Sequence, residues 1–418
     1  MRETEEAQAK KLDAADELKA FRQRFHLPHG VYLCGHSLGL QPKATAAILE
    51  AELDAWADRA VDAHFEGDAP WYSYHELCRD SGARLVGAEP GEVVMMNSLS
   101  VNLHLMLVSF YRPTKERHAI LMEDCAFPSD TYAAQSQLRY HGHDPKEGVL
   151  VAKPREGEAT LRTEDLETFL ETRGQEIAVV LLGAVNYFTG QLFALDRIVK
   201  AAHRQGCIVG LDLAHAAGNV PLRLHDWDVD FAVWCSYKYL NSGPGAVAGC
   251  FVHERHGKDK GLPRFAGWWG NDPRRRFRMH LEGEFEPVEG ADGWQVSNPP
   301  ILALAPLRAS LALFDEAGYE RLRQKSLELT AYLESWIDQA GQDRIELLTP
   351  RDANQRGCQL SLRVLREPRT LVKALADAGI VVDFREPDVV RVAPVPLYNS
   401  FHDVWRFGRI LTDWAART

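Results

Sequence analysis

From about residue 90 to residue 255 the chain alternates short apolar runs with stretches of helical periodicity. The runs VVMM (93–96), AILM (119–122), AVVLL (178–182), CIVGLD (207–212), FAVWC (231–235) and VAGCFV (247–252) are continuous, without polar alternation. That pattern fits strands covered on both faces, because a half-exposed strand keeps a polar residue at every second position. Helices must then lie on either side of the sheet, which predicts a layered α/β domain. The segments LRTEDLETFLETRG and LDRIVKAAHRQG read as crossover helices ending at glycine, and an amphipathic helix from about Pro42 to Val61 precedes the first strand.

Beyond about residue 300 the texture changes to long helical stretches, ILALAPLRASLALFDEAG and YERLRQKSLELTAYLESWIDQAG, followed by strand runs at IELLTP, CQLSLRV, IVVDF and VVRVAPV. The expected division is N-terminal helices over 1–60 contributing to a small domain, a large domain over 61–300, and the small α+β domain over 301–418.

Charge narrows the functional classes. Among 418 residues, 48 Lys and Arg oppose 59 Asp and Glu, a net charge of −11, and the one Arg cluster is Arg274-Arg275-Arg276. Nucleic-acid affinity rests on clustered cations, so DNA and RNA are not expected partners. No run of about 18 apolar residues is present, which argues against a membrane span. The first 25 residues are charged throughout and do not read as a secretory signal. Seven cysteines without a CxxC pair fit small buried hydrophobes in a reducing cytoplasm.

Three pattern matches fail on context. Gly35-His36-Ser37-Leu38-Gly39 fits the nucleophile elbow of serine hydrolases, but only a charged helix and HGVYL precede it, and Pro42 follows almost at once. Gly243-Pro244-Gly245-Ala246-Val247-Ala248 precedes a strand, whereas a dinucleotide fingerprint must follow one. His141 with His143, and His253 with His256, lack the partners and spacing of a zinc site, so no metal is expected.

The informative pair is Asp212, in DLAH, and Lys238, 26 residues later in SYKY. Each follows the C-terminal end of an apolar strand, where open α/β sheets place their ligands. A carboxylate at one strand end and a lysine at another can hold pyridoxal phosphate: Asp212 keeps the pyridine nitrogen protonated and Lys238 forms the Schiff base. A structural ion pair at a sheet rim is the alternative. Three neighbours favour the cofactor. Asn97-Ser98-Leu99-Ser100 opens an apolar helix whose N–H groups suit a phosphate. Phe127, in AFPSD, follows a strand and can stack on a flat ring, and LNSGPG (240–245) gives the lysine a flexible exit.

These blocks, with NSLSVNLH, GWWG, VSNPP and RVAPVPLYNSFHDV, resemble the kynureninases in content and order from about Gly35 to Phe407. The resemblance implies pyridoxal-phosphate fold type I, with a mostly parallel seven-stranded sheet covered by helices and a smaller α+β domain. It also implies a cytoplasmic homodimer that hydrolyses L-kynurenine to anthranilate and L-alanine, in tryptophan catabolism and the route toward NAD. It makes Lys238 the Schiff-base lysine and Asp212 the pyridinium partner, with Leu99, Ser100, Phe127, Pro128, Ser129, Asp130, His215 and Tyr237 around the cofactor. Trp268 and Asn298 match positions that reach the phosphate from the neighbouring subunit. Arg391 matches the arginine that holds the substrate α-carboxylate, and His64 and Asn271 fall where the family lines the aromatic-ring pocket. Lys238 is then the base for the α-proton, and Tyr237 the candidate proton donor to the carbanion or else a phosphate ligand only.

Three positions depart from the family pattern. His36 replaces the Asn of the usual GNSLG turn, and Gly183 stands where some members place a hydroxyl near the cofactor. Asn271 replaces a histidine seen in some members, which leaves kynurenine and 3-hydroxykynurenine both open. Rival readings are another enzyme of the fold, a cysteine desulfurase or an aminotransferase, and a catalytically silent binding protein. A desulfurase needs a nucleophilic Cys in a mobile loop, and Cys358 is the nearest candidate.

Overall fold

Alternate residues of the central strands point into two different cores. The computed structural model describes residues 2–417. Its main sheet has seven strands: β1 (Val93–Met95), β2 (Ala119–Glu123), β3 (Val149–Ala152), β4 (Ile177–Gly183), β5 (Ile208–Asp212), β6 (Phe231–Trp234) and β7 (Gly249–Val252). Their order is β1-β7-β6-β5-β4-β2-β3, and β7 runs antiparallel to both neighbours while every other pairing is parallel.

Leu121 of β2 faces one core with Val180, Leu182, Val209 and Leu211, whereas Ile120 and Met122 face the other with Val179, Leu181 and Val233. The helices Thr163–Arg173 and Leu195–Arg204 close the first core through Leu166, Leu170 and Ile198. Leu99–Phe110 and Pro128–Tyr140 close the second through Leu103, Leu107 and Leu138. Double coverage explains why these strands read as continuous apolar runs. The strand β3 was not among those runs. It is an edge strand with exposed Val151 between buried Leu150 and Ala152, so it carries no continuous burial signal.

The C-terminal part forms a four-stranded antiparallel sheet from β8 (Ile345–Leu347), β9 (Leu360–Val364), β10 (Asp383–Arg385) and β11 (Val389–Val392), in the order β10-β11-β9-β8. Its own core joins Leu333, Trp336, Leu360, Leu362, Val390, Val392, Phe407 and Leu411. The N-terminal segment divides between the two bodies. The helix Arg2–Ala15 packs on Phe401–Ala415, and Val31–Tyr32 pairs in parallel with Ile380–Val381. Phe21, Phe25 and Leu40 instead join the large core, and the helix Ala44–Arg59 packs on Ile301–Ala317, whose Leu304, Leu307 and Phe314 also belong to that core. No helix among the described residues is long and apolar enough to cross a membrane.

Because β1, β2, β4, β5 and β6 share one direction, their C-terminal ends lie along one edge of the sheet. That edge carries Asn97–Ser100, Glu123, Gly183, Asp212 and, after β6, Tyr237 and Lys238.

Candidate active site

Lys238 points its Nζ at His215, 3.1 Å from Nε2. His215 is buried, and burial followed by the Lys238 charge pushes its imidazole well below the ordinary value, so the ring is neutral and Nε2 accepts from the ammonium. Its Nδ1 is buried without a partner among the described residues. The Lys238 Nζ also lies 5.6 Å from the centre of the Phe127 ring, which is 40% exposed.

Asp212 ends β5, is 6% exposed, and accepts a hydrogen bond from the Ala214 N–H at 2.6 Å. Two further carboxyls crowd it. Burial, and then the charge and hydrogen bond of Asp212, push Asp130 well above the usual carboxylate range, so Asp130 keeps its proton and donates to Asp212. Glu123, at the end of β2, is pushed up to about 8, by burial first and with Asp212 adding to it. Both Glu123 oxygens face the Gly183 N–H, at 3.2 and 3.3 Å. The bare Cα of Gly183 leaves that space to the Glu123 carboxyl, since a Cβ there would lie 2.9 Å from Glu123 Oε1.

Two helix starts converge beside this group. Ser98 precedes Leu99–Phe110 and Phe127 precedes Pro128–Tyr140, and neither side chain caps its helix. Ser100 Oγ and Ser129 Oγ, in the first turns, are 3.1 Å apart. Uncapped first-turn N–H groups with paired hydroxyls suit an anion such as phosphate. Tyr237 is half-buried, and burial and then its hydrogen-bonded neighbour Cys235 raise its phenol, so it holds its proton.

The small domain supplies the opposite wall. Arg391 is 1% exposed and donates from Nε to Asp383 Oδ2 at 2.7 Å and from Nη1 to the Tyr187 carbonyl at 2.7 Å. Burial pushes Asp383 up, but the Arg391 hydrogen bond and charge outweigh it and hold the carboxyl below the ordinary value. Among the described residues nothing takes Arg391 Nη2, which leaves it for an incoming carboxylate. The Tyr187 ring stands edge-on to Phe127 at 5.2 Å and ties this wall to the cofactor side.

The glycine turn that mimics a hydrolase elbow brackets the lysine instead. A Cβ on Gly39 would sit 2.3 Å from the Lys238 carbonyl, and the Gly39 N–H donates to the Tyr237 carbonyl at 2.8 Å. Gly35 approaches the Tyr398 hydroxyl in the same way, at 2.1 Å from a Cβ. Both glycines are close-packing positions, and the strand before them is the two-residue Val31–Tyr32.

The other expected site residues lie elsewhere, His64, Trp268 and Asn271 around an aromatic patch and Asn298 apart from them. His64 Nδ1 lies 3.0 Å from the Val61 carbonyl with its ring 5.3 Å from Trp71, and Trp268 stands edge-on to Trp269 at 4.8 Å. Asn271 is buried, its Oδ1 accepting from the Glu286 N–H at 2.9 Å, while Asn298 is exposed beside a cavity shared with Asn97 and Ser98. Among the described residues, no hydrogen bond, ion pair or ring contact joins His64, Trp268, Asn271 or Asn298 to Lys238 or Asp212. Sequence reasoning did not pick out Glu123, Asp383 or Tyr187. Glu123 reads as the polar end of an apolar run and Asp383 as a polar residue inside one, and only their three-dimensional partners reveal them.

A family model for the class-V aminotransferases matches residues 32–259, and one for the kynureninase C-terminal domain matches 322–411. Among solved structures, the cysteine desulfurase of Thermococcus onnurineus superposes with a TM-score of 0.77 at 17% identity, covering 96% of this chain and 98% of that one. The cysteine desulfurase CsdA of Escherichia coli gives 0.74 at 17%, with the same coverage. These likenesses establish the fold, pyridoxal-phosphate fold type I. The residues present fit pyridoxal phosphate: an amine beside a neutral imidazole, an acceptor carboxylate, a partly exposed aromatic ring near the amine and two uncapped helix starts. The kynureninase of Myxococcus xanthus is 58% identical over 99% of this chain and 98% of its own length, and that of Koribacter versatilis 56% over 97% and 96%. With identity at that level across nearly the whole length of both chains, and with its C-terminal domain matched separately, the chain belongs to the kynureninase family.

Proposed function

We propose that this chain hydrolyses the Cβ–Cγ bond of L-kynurenine to give anthranilate and L-alanine, with pyridoxal phosphate held on Lys238. The observation that carries the reading is the pairing of Lys238 with Asp212 on the sheet edge and Arg391 on the facing wall. An α-amino acid needs all three: an amine-exchanging lysine, a cofactor acid partner and a carboxylate receptor.

When bound, pyridoxal phosphate supplies the electron sink that lets bonds next to the substrate amine break. The chain's own groups do the rest. Asp212 would hold the pyridine nitrogen, Phe127 would cover the ring, and the helix starts at Leu99 and Pro128 with Ser100, Ser129 and Tyr237 would hold the phosphate. Arg391, fixed by Asp383 and Tyr187, receives the α-carboxylate. Lys238, with its amine free, would take the substrate's α-proton, and the neutral His215 ring beside it would accept a hydrogen bond from the ammonium so formed. Water would supply the oxygen that the ketone carbon needs to leave as anthranilate's carboxyl, and Tyr237, which keeps its phenolic proton, would donate it to the side-chain carbon left on alanine.

Trp268, Asn298, His64 and Asn271 act across a homodimer, on the partner's site. What supports this for His64, Trp268 and Asn271 is their place away from Lys238 of their own chain, beside a patch with exposed Phe65 and Phe277, while Asn298 stands apart from them at the cavity that Asn97 and Ser98 line.

The thiols weigh against a desulfurase. Cys358 is fully buried and pushed by burial up to about 12, and the exposed Cys125 is pushed up to about 11 by burial and then Asp124. Neither is a ready thiolate. The test is Lys238→Ala: the purified wild type should show a visible absorption band and cleave kynurenine, and the variant should lose both. A colourless wild type with no bound pyridoxal phosphate would overturn the reading.

A further inference from the structure

His36 is fully buried, and among the described residues neither ring nitrogen has a hydrogen-bond partner. A buried imidazole left without partners is a net cost, because each unpaired polar atom has lost its water. Packing alone would be served better by an apolar side chain. Its position offers another explanation. On one side its ring is 6.3 Å from that of His215, whose Nε2 touches Lys238 Nζ. On the other, a ring nitrogen lies within 4.8 Å of an Asp383 carboxylate oxygen, and Asp383 grips Arg391 at 2.7 Å. His36 therefore stands between the amine end and the carboxylate end of the space an α-amino acid would fill.

Cys34, His36 and Asp383 have the donor types and proximity of a metal site. The charges exclude that use: Asp383 already binds both Arg385 and Arg391, and Lys238 faces the same space. Three cations beside one carboxylate repel a metal ion and attract an anion.

We propose that His36 is a substrate-binding residue, its N–H donating to the α-carboxylate alongside Arg391. This deepens the functional reading above and rests on it, since it needs an amino acid joined at Lys238 with its carboxylate toward Arg391. The surroundings keep the ring uncharged: burial first, then Arg391, push its pKa far down. A neutral imidazole adds a directed donor to the carboxylate site without a fourth positive charge, and its contribution does not titrate near neutral pH.

The test uses two small amines and the cofactor-loaded protein, with binding followed by the change in cofactor absorbance. L-Alanine carries the carboxylate and ethylamine does not. In His36→Leu, L-alanine binding should weaken by about 10- to 100-fold, the loss expected of a hydrogen bond to a charged group. His36→Asn, which keeps an N–H donor, should stay within about threefold of the wild type. Ethylamine should bind all three proteins alike, which a general disturbance of the site would not allow. If His36→Leu fails to load the cofactor, His36→Ala must give the same ordering. Unchanged L-alanine binding in the leucine or alanine variant, or an equal loss for ethylamine, overturns the contact. A wild type that binds neither amine would overturn the functional reading itself, and this inference with it.

Discussion

Glu123 and Gly183 fit together because residue 183 has no side chain: a Cβ there would lie 2.9 Å from Glu123 Oε1, the same oxygen that accepts the Gly183 N–H at 3.2 Å. Gly183→Ala should therefore push the carboxyl out of place and destabilise the protein by about 1–2 kcal/mol. Shortening the acid with Glu123→Asp should recover part of that loss in the double variant. Strictly additive losses would show that the two positions do not meet.

The same carboxyl makes stability depend on pH. Burial lifts Glu123 from 4.5 to about 8 in the folded chain. Below about pH 4.5 it is protonated in both states and has no effect. As pH rises from 4.5 toward 8 the unfolded chain releases the proton while the folded chain holds it, so stability is lost across that window, by up to about 4 kcal/mol. Glu123→Gln cannot ionise. The variant's Tm should gain on the wild type's between pH 5 and pH 8, and a gap constant with pH would contradict the assignment.

Arg391 is aimed by its partners. Asp383→Asn keeps the shape but removes the charge that fixes Nε, and KM for kynurenine should rise about 10-fold with kcat within about threefold. Arg391→Lys has one point charge in place of a planar fork, and kcat/KM should fall about 100-fold. Steady-state kinetics on the two variants separates these outcomes, and equal effects of both on kcat alone would remove Arg391 from carboxylate binding.

The patch carrying Phe65 and Phe277, each 58% exposed with ring centres 5.9 Å apart, is expected to be covered by a second copy. Phe65→Glu with Phe277→Glu should give a monomer by sedimentation and lose most activity, because His64, Trp268, Asn271 and Asn298 would no longer reach a neighbouring site. A fully active monomer would contradict the shared-site reading.

Burial governs how much of this was legible. The doubly covered strands from 93 to 252 declare themselves as apolar runs, and the strand-end rule then puts Asp212 and Lys238 on one edge without any further information. The edge strand Val149–Ala152 is hidden because one side chain in two faces water. IVVDF reads as one strand, yet Ile380–Val381 pairs with Val31–Tyr32 while Asp383–Arg385 pairs with Val389–Arg391, a split set by contacts more than 300 residues apart in the first case. Glu123 and His36 were visible only as an acid ending an apolar run and a departure in a turn. Their roles come from Gly183, Asp383 and His215, none of which is near them in the chain.

The most direct measurement is incubation of the purified, cofactor-loaded protein with L-kynurenine, following anthranilate by fluorescence and L-alanine by amino-acid analysis. Equal amounts of the two products, absent with Lys238→Ala, are the expected result. Kynurenine consumed without anthranilate, or no turnover from a protein that carries its cofactor, would contradict the account.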